Sequence, residues 1–192
     1  MCVEPVAWIS EQQHTLSLVL YPAAALAYLS FDATRRPASY RLATALFLCA
    51  LLSKTTTATL PAALLVIAWW RRGALDWRRD VVPLVPWFVL GAALGLFSAW
   101  VEKNFIGAEG GDFALSWLQR SVLAGRIIWF YLGKLVLPVD LIFIYPRWIV
   151  DATAARQWLF SLGVLALLAV LWVVRGRSRS PLAVLLLFAG SL

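Results

Sequence analysis

Charged side chains are scarce in this chain, and that scarcity decides its class. Only 14% of the 192 residues are Asp, Glu, Lys or Arg, while 62% are hydrophobic. A soluble domain carries about 25% charged and 45–50% apolar residues. A chain this small leaves much of its surface wet, so it has too little polar material to cover a soluble core. The same composition excludes disorder, collagen and coiled coil. The two cysteines, Cys2 and Cys49, have no metal spacing and form no disulfide scaffold; they read as apolar-like residues. The single histidine, His14, excludes a histidine cluster. There is no P-loop, no GxGxxG and no Gly-x-Ser-x-Gly. No long internal repeat is visible. Met1 is followed by Cys-Val-Glu-Pro rather than by a charged region, an apolar core and a cleavage site, so no signal peptide is expected.

What the chain does have is apolar and aromatic surface. Eleven Trp and ten Phe, with a mean hydropathy of +0.80, suit broad lipid interfaces. The expectation is an all-α integral membrane protein. The net charge of +7 would suggest nucleic acid in a soluble protein. Here the arginines sit at the ends of apolar runs, and no basic face carries interleaved aromatics. Membrane topology and anionic lipid explain the charge, and no nucleic-acid partner is expected.

Apolar runs occupy 15–31, 40–53, 55–70, 82–101, 118–137, 157–174 and 181–192. Arg35, Arg36 and Arg41 form a first basic punctuation; Arg71, Arg72, Arg78 and Arg79 form a second; Arg175, Arg177 and Arg179 form a third. The positive-inside rule places all three in the cytoplasm. Glu4, Glu11, Glu102, Glu109, Asp112, Asp140 and Asp151 mark the outer segments. The predicted organisation is an outer amphipathic segment over 1–14 and four membrane segments over 15–101. An outer stretch follows over 102–156, then two membrane segments over 157–192, the last cut short. The arms 40–53 and 55–70 run out and back, hinged at Ser53-Lys54. The run 118–137 has both flanks outside and carries Arg120, Arg126 and Lys134, so it is expected to be re-entrant or interfacial. In all, about five to seven membrane segments are expected to form a polytopic bundle, a partial domain of a longer protein. Trp8, Trp69, Trp70, Trp77, Trp100, Trp117, Trp148 and Trp158 fall near segment ends as an aromatic belt. Pro83 and Pro86 belong in the first turns of 82–101.

Ionisable groups at a membrane are functional candidates by default, because burying charge in hydrocarbon costs several kcal/mol. Glu4, Trp8, Glu11 and His14 share one side of a helix. Two carboxylates and an imidazole can bind a metal or a sugar hydroxyl; the same pattern also describes a wet face of an interfacial helix. Lys54, within Ser53-Lys54-Thr55-Thr56-Thr57, either snorkels to headgroups or meets a phosphate assisted by threonine hydroxyls. Gln119, Arg126 and Gly133 line up at 100° per residue, with Phe130 and Lys134 beside them. Pro138, Asp140 and Tyr145-Pro146-Arg147-Trp148 follow. This cationic stripe with a glycine gap suits a lipid-linked phosphate or pyrophosphate, or else anchors the chain to ordinary anionic headgroups.

Three stretches carry a resemblance. They are Val3-Glu4-Pro5-Val6-Ala7-Trp8-Ile9-Ser10-Glu11 with Leu16-Ser17, and Leu51-Leu52-Ser53-Lys54 with Ala58-Thr59-Leu60-Pro61. The most specific is Arg126-Ile127-Ile128-Trp129-Phe130-Tyr131-Leu132-Gly133-Lys134-Leu135 through Pro138, Asp140-Leu141, Phe143 and Tyr145-Pro146-Arg147-Trp148. In this order the chain resembles bacterial multi-spanning membrane proteins that continue into tetratricopeptide repeats. It is similar to the transmembrane and tetratricopeptide-repeat O-mannosyltransferases and, more distantly, to protein O-mannosyltransferases of the GT-C type. The resemblance implies a GT-C-like helix bundle, a polyprenyl-phosphate sugar donor and an inverting transfer to a protein or glycan hydroxyl.

This sequence departs from that family in three places. Relatives carry a His-Pro pair upstream of the glutamate matching Glu4, where this chain has Met1-Cys2. Relatives carry Glu-Arg-Lys where it has Glu11-Gln12-Gln13. The family's catalytic aspartate lies in an external loop that would precede Met1, so no catalytic residue is assigned and this stretch alone is expected to be inactive. The resemblance leaves Lys54, Arg126, Lys134 and Arg147 as donor-phosphate contacts and Glu4 and Glu11 on the acceptor or metal side. A divalent metal is left open, and the partners are membrane lipid, the polyprenyl-phosphate sugar and a protein acceptor. The alternative is a non-catalytic scaffold or lipid-handling protein.

Overall fold

The computed structural model describes residues 12–101, 104, 115–139, 142, 145, 148, 150, 151 and 153–191. Among them all regular secondary structure is helical, with no strand. This follows from an apolar environment, where every backbone polar group must be satisfied within its own segment. Two compact units divide between Gly107 and Ala108.

The first unit holds α1 (Gln12–Thr34), α2 (Pro37–Ser53), a 3₁₀ turn (Thr55–Thr59) and α3 (Leu60–Arg72). A composite helix follows: a π turn (Trp77–Val81), a 3₁₀ turn (Val82–Leu84) and α4 (Val85–Val101). The second unit holds α5 (Trp117–Val136), α6 (Ala155–Val174) and α7 (Ser180–Ser191). Among the described residues three helices are long and apolar enough to cross a membrane: α1, the 25-residue composite Trp77–Val101, and α6. The apolar helices α2 and α7 are shorter. Leu18, Val19 and Leu26 on α1 and Leu159, Leu162, Leu165 and Val173 on α6 are exposed. Apolar surface on this scale marks contact with lipid or protein rather than water.

The α1–α2 turn is tight. Arg35 adopts a left-handed φ of 53°, and its amide closes on the Phe31 carbonyl at 2.7 Å. That conformation costs a non-glycine residue about 1–2 kcal/mol. Arg35 offsets the cost by reaching Asp32 at 2.6 Å. Pro37 follows within the first turn of α2, where its missing donor is harmless. At the far end of α2 the chain leaves the helix at Lys54, whose φ and ψ of −156° and 124° are extended. The hinge expected at Ser53-Lys54 is there. Gly73 closes α3 with φ 83°, its amide bonded to the Trp69 carbonyl at 2.7 Å.

The composite helix starts five residues earlier than the apolar run, because Asp76 caps it. The Asp76 carboxylate accepts from the Arg79 amide at 2.9 Å. Pro83 and Pro86 explain the π and 3₁₀ geometry between the cap and α4. Pro83 has no amide for the Arg79 carbonyl four residues back. Arg35 Nη1 donates to that carbonyl at 3.3 Å, and Tyr40 donates to the Pro83 carbonyl at 2.9 Å.

The core of the first unit is aromatic. Trp87 is fully buried, stacks on Phe47 at 4.5 Å and 4°, and meets Tyr28 edge-on at 5.3 Å. Its indole N–H donates to Thr44 Oγ1 at 3.1 Å. Leu51, Leu60, Leu64 and Leu84 close the cluster. Truncating such a tryptophan costs about 3–5 kcal/mol. Beside it Gly91 lies against Ala58: a Cβ there would stand 3.1 Å from the Ala58 methyl.

In the second unit α5 and α6 cross through small residues. A Cβ at Gly125 would stand 2.6 Å from Ser161 Cα and 2.7 Å from its amide nitrogen. Ser161 Oγ donates to the Ser121 carbonyl at 3.0 Å, and Trp129 Nε1 to the Phe160 carbonyl at 2.9 Å. Small residues let two backbones approach, and polar side chains then bond across the gap. Gly125→Ala should therefore destabilise the protein by about 1–3 kcal/mol. Gly133 has nothing near its Cβ position, so Gly133→Ala should stabilise α5 by up to about 1 kcal/mol. Reversible unfolding in mixed micelles measures both, and equal effects would remove the close crossing.

Candidate functional site

Among the described residues three ionic sites emerge, two in the first unit and one in the second. The second-unit site is built on the polar face of α5. Ser116 caps this helix in a reciprocal capping box with Gln119, and Gln119 Nε2 donates to the Val150 carbonyl at 3.3 Å. Gln119, aligned with the cationic stripe by periodicity, is thus a structural residue. Two turns further on, the Arg126 guanidinium lies 4.4 Å from the Trp148 ring centroid. Phe130 meets Tyr145 at 5.0 Å and Trp148 at 5.1 Å, both edge-on. Lys134 Nζ lies 5.6 Å from the Phe130 ring and 5.5 Å from the Tyr145 ring, and donates to the Val139 carbonyl. Arg126 and Lys134 therefore flank one aromatic trio, with the open space at Gly133 beside Lys134. Each such contact contributes about 0.5–2 kcal/mol, more where water is excluded. Arg147 and Asp140 lie outside the described residues.

Lys54 sits in the first unit with a different partner. Its Nζ is 2.7 Å from His14 Nδ1, within hydrogen-bond distance. The pairing brings the start of α1 to the end of α2. Thr57 is buried and donates to the Lys54 carbonyl at 2.7 Å, so its hydroxyl proton is spent on backbone and not on a phosphate. Glu4 and Glu11 lie outside the described residues.

The third site joins the first two arginine loops, which periodicity and spacing did not read as a site. Arg72 bridges Asp32 at 2.7 Å and Asp80 in a close ion pair. Asp32 also receives Arg35 at 2.6 Å and Arg79 at 3.5 Å. Asp80 is 1% exposed at its side chain, and its second oxygen accepts the Asp76 amide at 2.9 Å. Burial of this carboxylate is tolerated because both oxygens are bonded. The signal available in sequence was an aspartate at each end of an arginine set: Asp32 before Arg35, Asp80 after Arg79. A cavity of about 260 Å³ opens beside the network. Its polar wall is Asp32, Arg71, Arg72, Arg79 and Asp80, and Tyr28, Leu29, Leu64 and Leu84 are among its other lining residues.

Among the described residues no three His, Cys, Asp or Glu side chains gather closely enough to hold a metal ion. Asp151, before α6, accepts from the Thr153 hydroxyl at 2.6 Å and the Thr153 amide at 2.9 Å. These bonds, the hydroxyl first, hold its carboxyl below the usual carboxylate value. Comparison of the chain with protein-family models, with curated proteins and with solved structures finds no match in any of the three.

Two outcomes are expected. Asp80→Ala strips Arg72 of its most buried partner and should cost about 2–4 kcal/mol, below a fully buried pair because Arg72 is partly exposed. The double change Asp80→Leu with Arg72→Met should recover at least half of that loss, read by unfolding in micelles. Thr153→Val should raise the Asp151 pKa toward its ordinary value in an NMR titration. A depressed carboxylate stabilises the folded state above its unfolded pKa, and that contribution fades as pH falls through the folded value. Thr153→Val should therefore flatten the acid limb of stability.

Proposed function

We propose that the chain is the membrane-embedded part of a GT-C-like glycosyltransferase. It would transfer a sugar from a polyprenyl-phosphate donor to a protein or glycan hydroxyl at the outer face of a bacterial inner membrane. The observation that carries this reading is the placement of Arg126 and Lys134 on either side of Phe130, Tyr145 and Trp148. A polyprenyl phosphate is an unsaturated chain ending in an anion. Aromatic faces suit its chain and the two cations suit its head. A guanidinium forks onto phosphate oxygens, and an ammonium adds a point charge. Fixed cations beside apolar rings also stabilise the charge that appears on the phosphate as the sugar leaves. In this reading Arg147, in the same stretch as Tyr145 and Trp148, is a further phosphate contact. The base that would activate the acceptor hydroxyl is not assigned.

The cluster's chemistry is capture of an amphiphilic anion, which equally favours a second reading: a lipid-handling protein that binds the same ligand without transfer. The discriminating experiment uses the protein in nanodiscs with a labelled polyprenyl-phosphate sugar. Arg126→Ala should weaken donor binding about tenfold, equivalent to about 1.4 kcal/mol, and lower transfer at least as much. Binding without transfer selects the second reading. Unchanged binding in both Arg126→Ala and Lys134→Ala overturns the two together.

A further inference from the structure

We infer that the cavity in the first unit is a phosphoryl-binding site for an anionic phospholipid headgroup, with Arg71 as the capturing residue. The site lies within the first unit, and the inference stands independently of the donor cluster on α5.

The cavity wall carries more guanidinium donors than its carboxylates engage. Every carboxylate on the cavity wall is already satisfied: Asp32 by Arg35, Arg72 and Arg79, and Asp80 by Arg72 and the Asp76 amide. Arg72 spends both terminal nitrogens on these two aspartates. Arg79 reaches Asp32 through Nε and the Asp32 carbonyl through Nη2. Arg71 lines the same cavity, yet it takes no part in any ion pair within the network. Each carboxylate is paired while Arg71 adds a further guanidinium to the same wall, so the wall favours an anion. The field agrees: over 32–41 and 71–80 the sequence has seven arginines against three aspartates.

Shape and surroundings narrow the class. Guanidinium forks match the several oxygens of a phosphate. A cavity of about 260 Å³ is larger than a bare phosphate, and Leu29, Ala33 and Ala68 give it an apolar side. That combination fits a phosphate ester attached to a glycerol backbone. Basic pockets between membrane helices are where acidic headgroups dock. The ion network holds α1, α3 and the start of the composite helix as a preformed cradle, so a ligand there finds its cations already oriented.

The full chain is placed in phosphatidylcholine nanodiscs containing graded phosphatidylglycerol, and bound lipid is read by native mass spectrometry. Arg71→Gln should weaken phosphatidylglycerol retention about tenfold. Arg78→Gln, in the same loop but not on the cavity wall, should change it less than twofold. Equal losses in the two variants, or none in either, overturn the proposal in favour of a diffuse basic surface. A second variant, Ala68→Phe, fills the cavity from its apolar side and should also release the lipid; retention there overturns the proposal too. Inorganic phosphate separates the sources. If millimolar phosphate leaves the lipid bound, the ester is the ligand; if it displaces the lipid with the same Arg71 dependence, the site serves free phosphate as well.

Discussion

Arg72 is the tie on which the first unit depends. It holds Asp32 at the end of α1 and Asp80 in the π turn before α4, and it is itself the last residue of α3. One guanidinium therefore fixes three helix termini at one end of the unit. Geometry forces the arrangement. A carboxylate as buried as Asp80 needs a cation and a second donor, and Arg72 and the Asp76 amide supply them. The expected common side of the two arginine loops then has a structural counterpart, because Asp32 contacts arginines from both. At the opposite end His14 meets Lys54, so the α1–α2 hairpin is pinned at both ends by polar pairs and filled between them by aromatic packing.

Sequence periodicity carried much of this. Helical class, the hinge at Lys54 and the shortness of α2 and α7 follow from apolar runs and the 3.6-residue period. What stayed hidden involves pairs distant in the chain. Trp87 lies only a few residues into an apolar run, yet it is a core residue because Phe47 and Thr44 of another helix receive its ring and N–H. Gly125 looks like any helical glycine until Ser161 of α6 is laid against it. The arginine loops read as topology signals because the positive-inside rule explains arginines without asking what neutralises them. Asp32 and Asp80 were the residues that carried that question. The start of the composite helix was misplaced because hydropathy tracks lipid exposure, whereas the Asp76 cap is polar.

The two arginine-bearing sites handle positive charge in opposite ways. In the first unit the guanidiniums meet carboxylates, and their fork geometry goes into joining helices. In the second unit Arg126 and Lys134 lie against rings. A ring attracts a cation without neutralising it, so the charge of Arg126 remains available to an incoming anion. A carboxylate partner would have cancelled it. Under the proposed function Arg126 is thus the cation left for a ligand, and Arg72 serves architecture.

Arg71 and Arg72 place that distinction within one dipeptide. They are consecutive on the last turn of α3 and point to different fates, about 100° apart around the helix. Arg72 turns into the network, while Arg71 takes no part in it. Both cations favour the helix C-terminus by about 0.3–1 kcal/mol through the backbone dipole, so either would be retained for helix stability alone. The dipole does not explain why the surplus cation borders a cavity whose acidic groups are all satisfied. A purely architectural loop would need only enough arginine to match Asp32 and Asp80. The excess is what turns a helix junction into a surface able to hold an anion.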